Sequence, residues 1–485
     1  MRFTPVLVLG NALFVAGSQI ADYPEVVARP TRRIDPMSTN AIRYTLAAAL
    51  FLIAANIQAQ SIPSIDPTLA AQIAAIPAID NHAHTVLSPP AYATDRNFDA
   101  LPVDNMEPET DPAGLRPTLP TLHEAWQAIF HFNGTPPLDA DGLKQLEAAR
   151  EATRREQGEA YATYILDRAN IATELANRVA MGTGVQPPRF RWVPYIDALL
   201  FPLDNSALAA ATPDRKQFFP LEDKLRAQYL QQANLKSLPP TLDQYLKQLV
   251  SPILAQQKAN GAVAEKFEIA YLRSFGFDDV PQAEAARIYV TLLHQSHPNE
   301  AQYKRLQDFL FRYIAAECGR LNLPVHIHTT SGSGGYFDIA GDNPLLLEPL
   351  FNDPRLRHTN FVLLHGGWPF IHEIGSLLQK PNVYLDLSQQ SLMISPRTMS
   401  QWLREWLELY PEKILYATDA YPYSQSMGWE EAAYIANQNI RESLGMALTG
   451  MMQDKQVTEP QAEKLAHMVL HANAESLYQF KTTAP

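Results

Sequence analysis

Apolar and polar positions along this chain follow two rhythms. Short runs rich in apolar and β-branched residues predict strands. They include Ile79-Asp80-Asn81-His82-Ala83-His84, Ile171–Val179, Phe190–Ile196, Ala262–Tyr271, Val325–Thr329, Phe361–Leu364, Val383–Leu387 and Ile414–Tyr416. Between many of them the apolar positions recur at helical spacing. The clearest case is Gln302–Leu321, where Leu306, Phe309, Leu310, Tyr313, Ile314 and Cys318 share one face before Leu323-Pro324 ends the helix. Pro67–Ala75, Met399–Leu409 and Glu430–Met451 read as further helices. So do residues 138–170 and the polar stretch 203–258, whose Leu221, Leu225, Tyr229 and Leu230 mark one side. The stretch from Ser88 to Gly134 is rich in Pro, Asp and Ala, with no sustained period, and predicts a long loop. Alternating strands and helices predict parallel βαβ units. The natural closure is an α/β fold, a (β/α)8 TIM barrel with helical insertions around 85–160 and 203–258 and helices at its C-terminus.

The N-terminus stands apart from this pattern. Arg43 precedes the apolar run Tyr44–Ala55, and Ile57-Gln58-Ala59 offers a small residue for cleavage. This predicts a signal peptide over 37–59 that starts at Met37, with 1–36 as an upstream extension, and a periplasmic or secreted protein. Val6–Ala16 is a competing targeting segment. Neither run predicts a stable membrane span after cleavage. The barrel is expected over 60–485.

Composition narrows the function. The 485 residues carry a formal charge of −12 with no Lys/Arg run, which argues against a nucleic-acid partner. The single cysteine, Cys318, excludes an internal disulfide and a cysteine-rich zinc cage, and its place on a helical stripe predicts packing. Oligomeric state has no signature in the sequence.

Barrel chemistry sits at the C-terminal ends of strands. His82 and His84, two residues apart on one strand, project from one face and can converge on a metal. His326 and His328 repeat the arrangement on the Val325 strand. His365 ends the Phe361 strand, Asp419 follows the last one, and Lys266 lies on the Ala262 strand. Metal-binding residue types therefore end several separate strands.

These residues resemble the amidohydrolase superfamily, in particular its second large sequence family and the branch fused to glutamine-synthetase-like domains. The resemblance rests on Asp80–His84, Glu265–Tyr271, Pro324–Thr329, Leu364–Pro369, Pro381–Asp386 and Thr418–Ala420, in that order. It implies a metal-dependent hydrolase with one or two divalent ions, zinc first among them. His82, His84 and His328 are then ligands, and Asp419 is both ligand and general base. His365 either holds a second metal or donates to the substrate carbonyl. Lys266 either carries a bridging carbamate or pairs inside the barrel with a carboxylate such as Glu268. His326 is a ligand or a hydrogen-bonding neighbour, Asp386 an orienting carboxylate. Arg273 is a candidate substrate anchor, although Leu272 interrupts the run that usually precedes such an arginine.

The expected reaction is attack of a metal-activated water on a C–N or ester bond of a small molecule. The alternative is one-metal decarboxylation or isomerisation of small carboxylic acids. The glycine-rich Ser331–Gly335 lacks the Lys-Ser/Thr of a phosphate loop and predicts a loop at the rim.

Overall fold

The computed structural model describes residues 64–101, 120–329 and 336–479. The expected signal peptide, the expected upstream extension and the Ser331–Gly335 segment lie outside the described residues.

The eight expected strands all form, most of them shorter than the apolar runs that announce them. They are β1 (Ala78–Ala83), β2 (Ile171–Asn177), β3 (Phe190–Val193), β4 (Glu265–Phe267), β5 (Val325–His328), β6 (Phe361–Leu364), β7 (Val383–Asp386) and β8 (Ile414–Leu415). All pairs are parallel, in the orders β1-β2-β3 and β4-β5-β6-β7-β8. Proline explains one shortening: Pro194, just after β3, has no N–H to give the ladder.

Two seams join the sheets into a closed barrel. At one, Val263 N donates to Trp192 O and Lys266 N to Pro194 O, each at 2.9 Å, with parallel bridges Trp192–Ala262 and Tyr195–Lys266. At the other, Asn81 N donates to Tyr416 O and Asp419 N to His82 O, both at 2.9 Å, and His84 N to Ala420 O at 2.8 Å. Asp80 reinforces this second seam by accepting from Thr418 N at 3.0 Å and Thr418 Oγ1 at 2.5 Å.

The barrel interior is an apolar layer of Ile79, Leu175, Val193, Ala264, Val362, Leu364 and Leu415, met by Leu477 and Tyr478 near the C-terminus. The helices build a second, larger core outside the strands. In chain order, α1 (Pro67–Ala75) precedes β1. The first insertion contains α2 (Pro120–Phe130), α3 (Ala140–Gln157) and α4 (Tyr161–Arg168), and the second contains α5 (Pro213–Gln232) and α6 (Ser251–Ala259). Then come α7 (Gln282–Leu292), α8 (Glu300–Arg320), α9 (Ile371–Leu377), α10 (Pro396–Leu409), α11 (Trp429–Gln453), α12 (Glu459–His467) and α13 (Asn473–Tyr478). On α8, Leu306, Leu310, Ile314 and Cys318 are buried as the sequence predicts. Burial pushes the Cys318 thiol well up, so it packs as a neutral side chain. No helix among the described residues is long and apolar enough to cross a membrane.

One expectation fails. The stretch read as a loop from Ser88 to Gly134 contains α2, which buries Leu122, Ala125, Trp126, Ile129 and Phe130 and packs against α11. These positions are spaced i, i+3, i+4, i+7 and i+8, a helical period that the Pro- and Asp-rich flanks obscure in a long window.

A buried ion pair anchors the start of this insertion. Arg178, just past β2, grips Asp95 with two hydrogen bonds of 2.9 Å, and the carbonyls of Thr85 and Ala180 take further guanidinium donors. Asp95 also accepts from Leu87 N at 2.9 Å and Asn97 N at 3.0 Å. Burial pushes the Asp95 carboxyl up, but Arg178 and these backbone donors outweigh it and hold it below its ordinary value.

Candidate metal centre

The β1–β8 seam delivers Asp419 to the histidine pair. Its backbone, at φ 55°, is left-handed, a conformation uncommon outside glycine that turns the carboxylate inward. Asp419 Oδ1 lies 3.2 Å from His82 Nε2 and 3.4 Å from His84 Nε2. One donor atom from each of the three residues lies within 4.8 Å of the others. All three are buried. Burial would raise the Asp419 carboxyl, but His365, His82 and His84 outweigh it and hold it well below the ordinary carboxylate value.

The donor set fits a cation. His84 Nδ1 is 3.0 Å from the Phe98 carbonyl, which only accepts, so Nδ1 carries a hydrogen, and the metal-binding form of the ring is the tautomer with its only hydrogen there. Its Nε2 then presents a bare lone pair to a carboxylate oxygen. Two acceptors face each other at 3.4 Å, and a divalent ion between them resolves the conflict.

His328 is prepared differently. Ser388 Oγ donates to Asp386 Oδ1 at 2.6 Å and therefore accepts from His365 Nδ1, 2.9 Å away. His365 Nε2 is then the acceptor for His328 Nδ1–H at 2.9 Å. That leaves His328 Nε2 with its lone pair exposed, buried and without a hydrogen-bond partner. The Asp386–Ser388–His365 chain thus fixes the tautomer of His328. Burial pushes the His365 imidazole down to about 3 and lowers His328 well below its usual value, so both rings are neutral.

Asp386 is the orienting carboxylate expected from sequence. It also accepts from His365 N and from Asn81 Nδ2, both at 2.9 Å. The backbone at His365 is left-handed, at φ 66°, and Gly366 and Gly367 continue in that region at 62° and 64°. A Cβ on Gly367 would meet Ile374 Cδ1 at 2.4 Å, so glycine is required there.

Lys266 is fully buried, with Nζ 3.5 Å from His82 Nε2. The pairing with Glu268 does not form: among the described residues no carboxylate oxygen lies within 4.0 Å of Nζ. His326 takes the hydrogen-bonding alternative, with Nε2 2.6 Å from Tyr478 Oη, and Tyr478 donates onward to Asn81. Arg273 is drawn away from the site. Its guanidinium binds Asp308 at 2.8 Å, Gln307 at 3.0 Å and the Gly276 carbonyl at 2.9 Å, so the anchoring expectation gives way to a brace onto α8.

Several site residues carried no readable signal. Tyr195 Oη is 3.1 Å from His84 Nδ1. Asp99 lines a cavity of about 410 Å³ beside Phe98, Leu101, Leu225 and Tyr421. The Tyr421 ring centroid is 5.1 Å from that of His84, which links the cavity to the metal residues. Both insertions build this cavity, through the 96–101 loop and through α5. Lone carboxylates and aromatics within aperiodic loops are not distinguishable by spacing.

Residues 258–480, somewhat under half of the chain, match the family described as amidohydrolase. Protein fluG of Emericella nidulans is 30% identical over 189 residues, 38% of this chain. That segment is 21% of fluG, so the chain spans only about a fifth of this relative. Three solved structures share the fold. One, from Lactobacillus casei and described as a metal-dependent hydrolase, aligns at TM-score 0.57 and 18% identity, over 86% of this chain and 98% of its own. A uronate isomerase from Thermotoga maritima aligns at 0.59 and 13% identity, over 85% and 96%. A glucuronate isomerase from Caulobacter crescentus aligns at 0.57 and 13% identity, over 86% and 95%.

Proposed function

We propose that this chain is a metal-dependent hydrolase that cleaves an amide or ester bond of a small molecule with water. The observation that carries this reading is the convergence of His82, His84 and Asp419 donor atoms within 4.8 Å at the C-terminal end of the barrel. His82, His84 and Asp419 would hold a divalent ion there, zinc by the nitrogen-rich donor set, and bound it would supply a Lewis acid that lowers the pKa of a water and polarises a carbonyl. His82 and His84 present Nε2 to it, and His328 offers its bare Nε2 as a further ligand.

Asp419, kept ionised by the surrounding imidazoles, is the general base. It accepts the proton of the attacking water and passes it to the leaving nitrogen or oxygen. His365, with both ring nitrogens engaged, is a positioning residue that presents His328. Lys266, free of carboxylate partners, is the residue on which a bridging carbamate and a second ion would depend. The N-terminal apolar run after Arg43 supports export, and with it a periplasmic or secreted location.

A second reading draws on the fold likeness to the two sugar-acid isomerases: one-metal isomerisation or decarboxylation of a small carboxylic acid. Metal analysis of the purified protein, with a screen of amides, esters and carboxylic acids, decides between them. Two ions and turnover of amides or esters support hydrolysis. One ion, with isomerised or decarboxylated acids as the only products, rejects it.

A further inference from the structure

We propose that Asp99 is the anchor for a protonated amine of the substrate, at a subsite that the first insertion builds against the metal centre. The inference deepens the hydrolase reading and rests on it.

Asp99 follows Phe98, whose carbonyl meets His84 Nδ1 at 3.0 Å, so the 96–101 loop lies directly against the metal residues. Asp99 is only 9% exposed and lines the 410 Å³ cavity. The basic groups that act on its carboxyl are His84 and Lys266, which turns that group toward the metal centre. One carboxyl oxygen is spent on the loop itself: Oδ1 accepts from Ala100 N at 2.6 Å and Leu101 N at 3.2 Å. The other, Oδ2, is buried with no hydrogen-bond partner.

The missing partner is a cation. The buried carboxylates Asp95, Asp308 and Asp353 are each held by an arginine, at 2.9, 2.8 and 2.7 Å. Among the described residues no Lys, Arg or His nitrogen comes within 4.0 Å of the Asp99 carboxyl. Burial pushes that carboxyl up, against the pull of His84, Lys266 and the two backbone donors. Glu268, just past β4, repeats the deficit. It is buried, its Oε2 has no partner, and burial pushes its carboxyl well up, with the nearby Asp99 adding to the push. A divalent ion does not answer this need, because His82, His84 and Asp419 are the one trio of such donors within 4.8 Å of one another among the described residues.

An ammonium group supplies what is lacking: a positive charge, donors for an unpartnered oxygen, and an affinity for aromatic faces. Phe98 and Tyr421, edge to face with centroids 5.7 Å apart, wall the cavity beside Asp99. Leu101 and Leu225 make its interior apolar, and its volume suits a small-molecule group. Arg96 and Lys224 also line it, but both are exposed, and Arg96 donates to the Ala93 and Asp95 carbonyls. The substrate class is therefore an α-amino amide or ester, with its carbonyl at the metal centre, its ammonium on Asp99 and its apolar side chain in the cavity.

The test uses the full-length, zinc-loaded protein with Asp99→Asn, which keeps the oxygen that accepts from Ala100 and Leu101, and Asp99→Ser should that variant fail to fold. L-phenylalaninamide and 3-phenylpropanamide, which differ only in the amine, are titrated calorimetrically at about pH 6.5, where an α-amino group is protonated. In parallel, kcat/KM is compared for the two amides and for the corresponding methyl esters. Wild type is expected to favour the amine by about 10- to 100-fold in both measurements, the range of one charge-assisted contact. Asp99→Asn is expected to erase that preference and leave the values for 3-phenylpropanamide unchanged. Equal binding of the two amides by wild type, binding of neither, or a preference that survives Asp99→Asn overturns the proposal. An amine held only by the metal gives the last of these results. Asp99-dependent amine binding without turnover of any amide or ester sinks the hydrolase reading and leaves the anchor standing. Turnover indifferent to Asp99 does the reverse.

Discussion

Asp419 and His84 meet as two acceptors at 3.4 Å, so their geometry makes sense around a cation. Asp419→Asn keeps the shape and removes both the charge and the proton acceptor. Steady-state kinetics is expected to show activity falling by about 10²- to 10⁴-fold, with circular dichroism unchanged. Ser388 is a subtler probe, because it touches neither substrate nor metal. Ser388→Ala breaks the chain from Asp386 to His328 and frees the His365 ring to turn. Metal affinity, measured by competition with a chromogenic chelator, is expected to fall by about 10- to 100-fold. An unchanged affinity would show that the tautomer of His328 is irrelevant to binding. At this scale much of the centre was legible in the sequence. His82, His84, His328, His365 and Asp419 announced themselves because each ends a strand. Tyr195, Asp99 and Ser388 did not, because a hydrogen-bonding partner from a loop leaves no periodic trace.

Among the elements, all the strands were readable, since their interior faces demand apolar runs. Their ends were less so, because a run such as Ala262–Tyr271 stays apolar after the ladder stops at Phe267. Helix α2 was hidden by its flanks. The Arg178–Asp95 pair, equally unreadable, sets the position of the loop carrying Phe98 and Asp99, and so one wall of the 410 Å³ cavity. Arg178→Met leaves a buried carboxylate unpaired. Denaturant unfolding is expected to report a loss of about 3–5 kcal/mol. The Asp95 carboxyl is depressed in the fold, so its contribution is fully present above the unfolded-state value of about 4 and is lost as pH falls through the folded one. Asp95→Asn should therefore flatten the acid limb of stability below about pH 4.

For the whole molecule, a centre that draws ligands from several strands ties metal binding to global stability. An ion that binds only the folded barrel adds about 3–4 kcal/mol at 100 to 1,000 times its Kd. Chelation is expected to lower the calorimetric midpoint and zinc to restore it; a midpoint indifferent to both would argue against a resident metal. The targeting proposal has its own test. N-terminal sequencing of the exported protein should begin just after Ala59, and a first residue upstream of Met37 would defeat it.

The seam between β1 and β8 has a consequence in time as well as in space. Asp80 and Thr418, which it joins, are 338 residues apart in the chain. During synthesis the histidine pair emerges early and waits for nearly all the remaining polypeptide before its carboxylate arrives. The His82–His84–Asp419 set does not exist until then, and a chain cut short before β8 has imidazoles without the carboxylate that completes the centre. Complete coordination of an ion would thus wait until β8 docks against β1. The occupant is chosen from whatever metal pool surrounds the chain when that event takes place. For a chain exported unfolded, that pool is the one beyond the membrane, so the compartment of folding, rather than affinity alone, selects the metal.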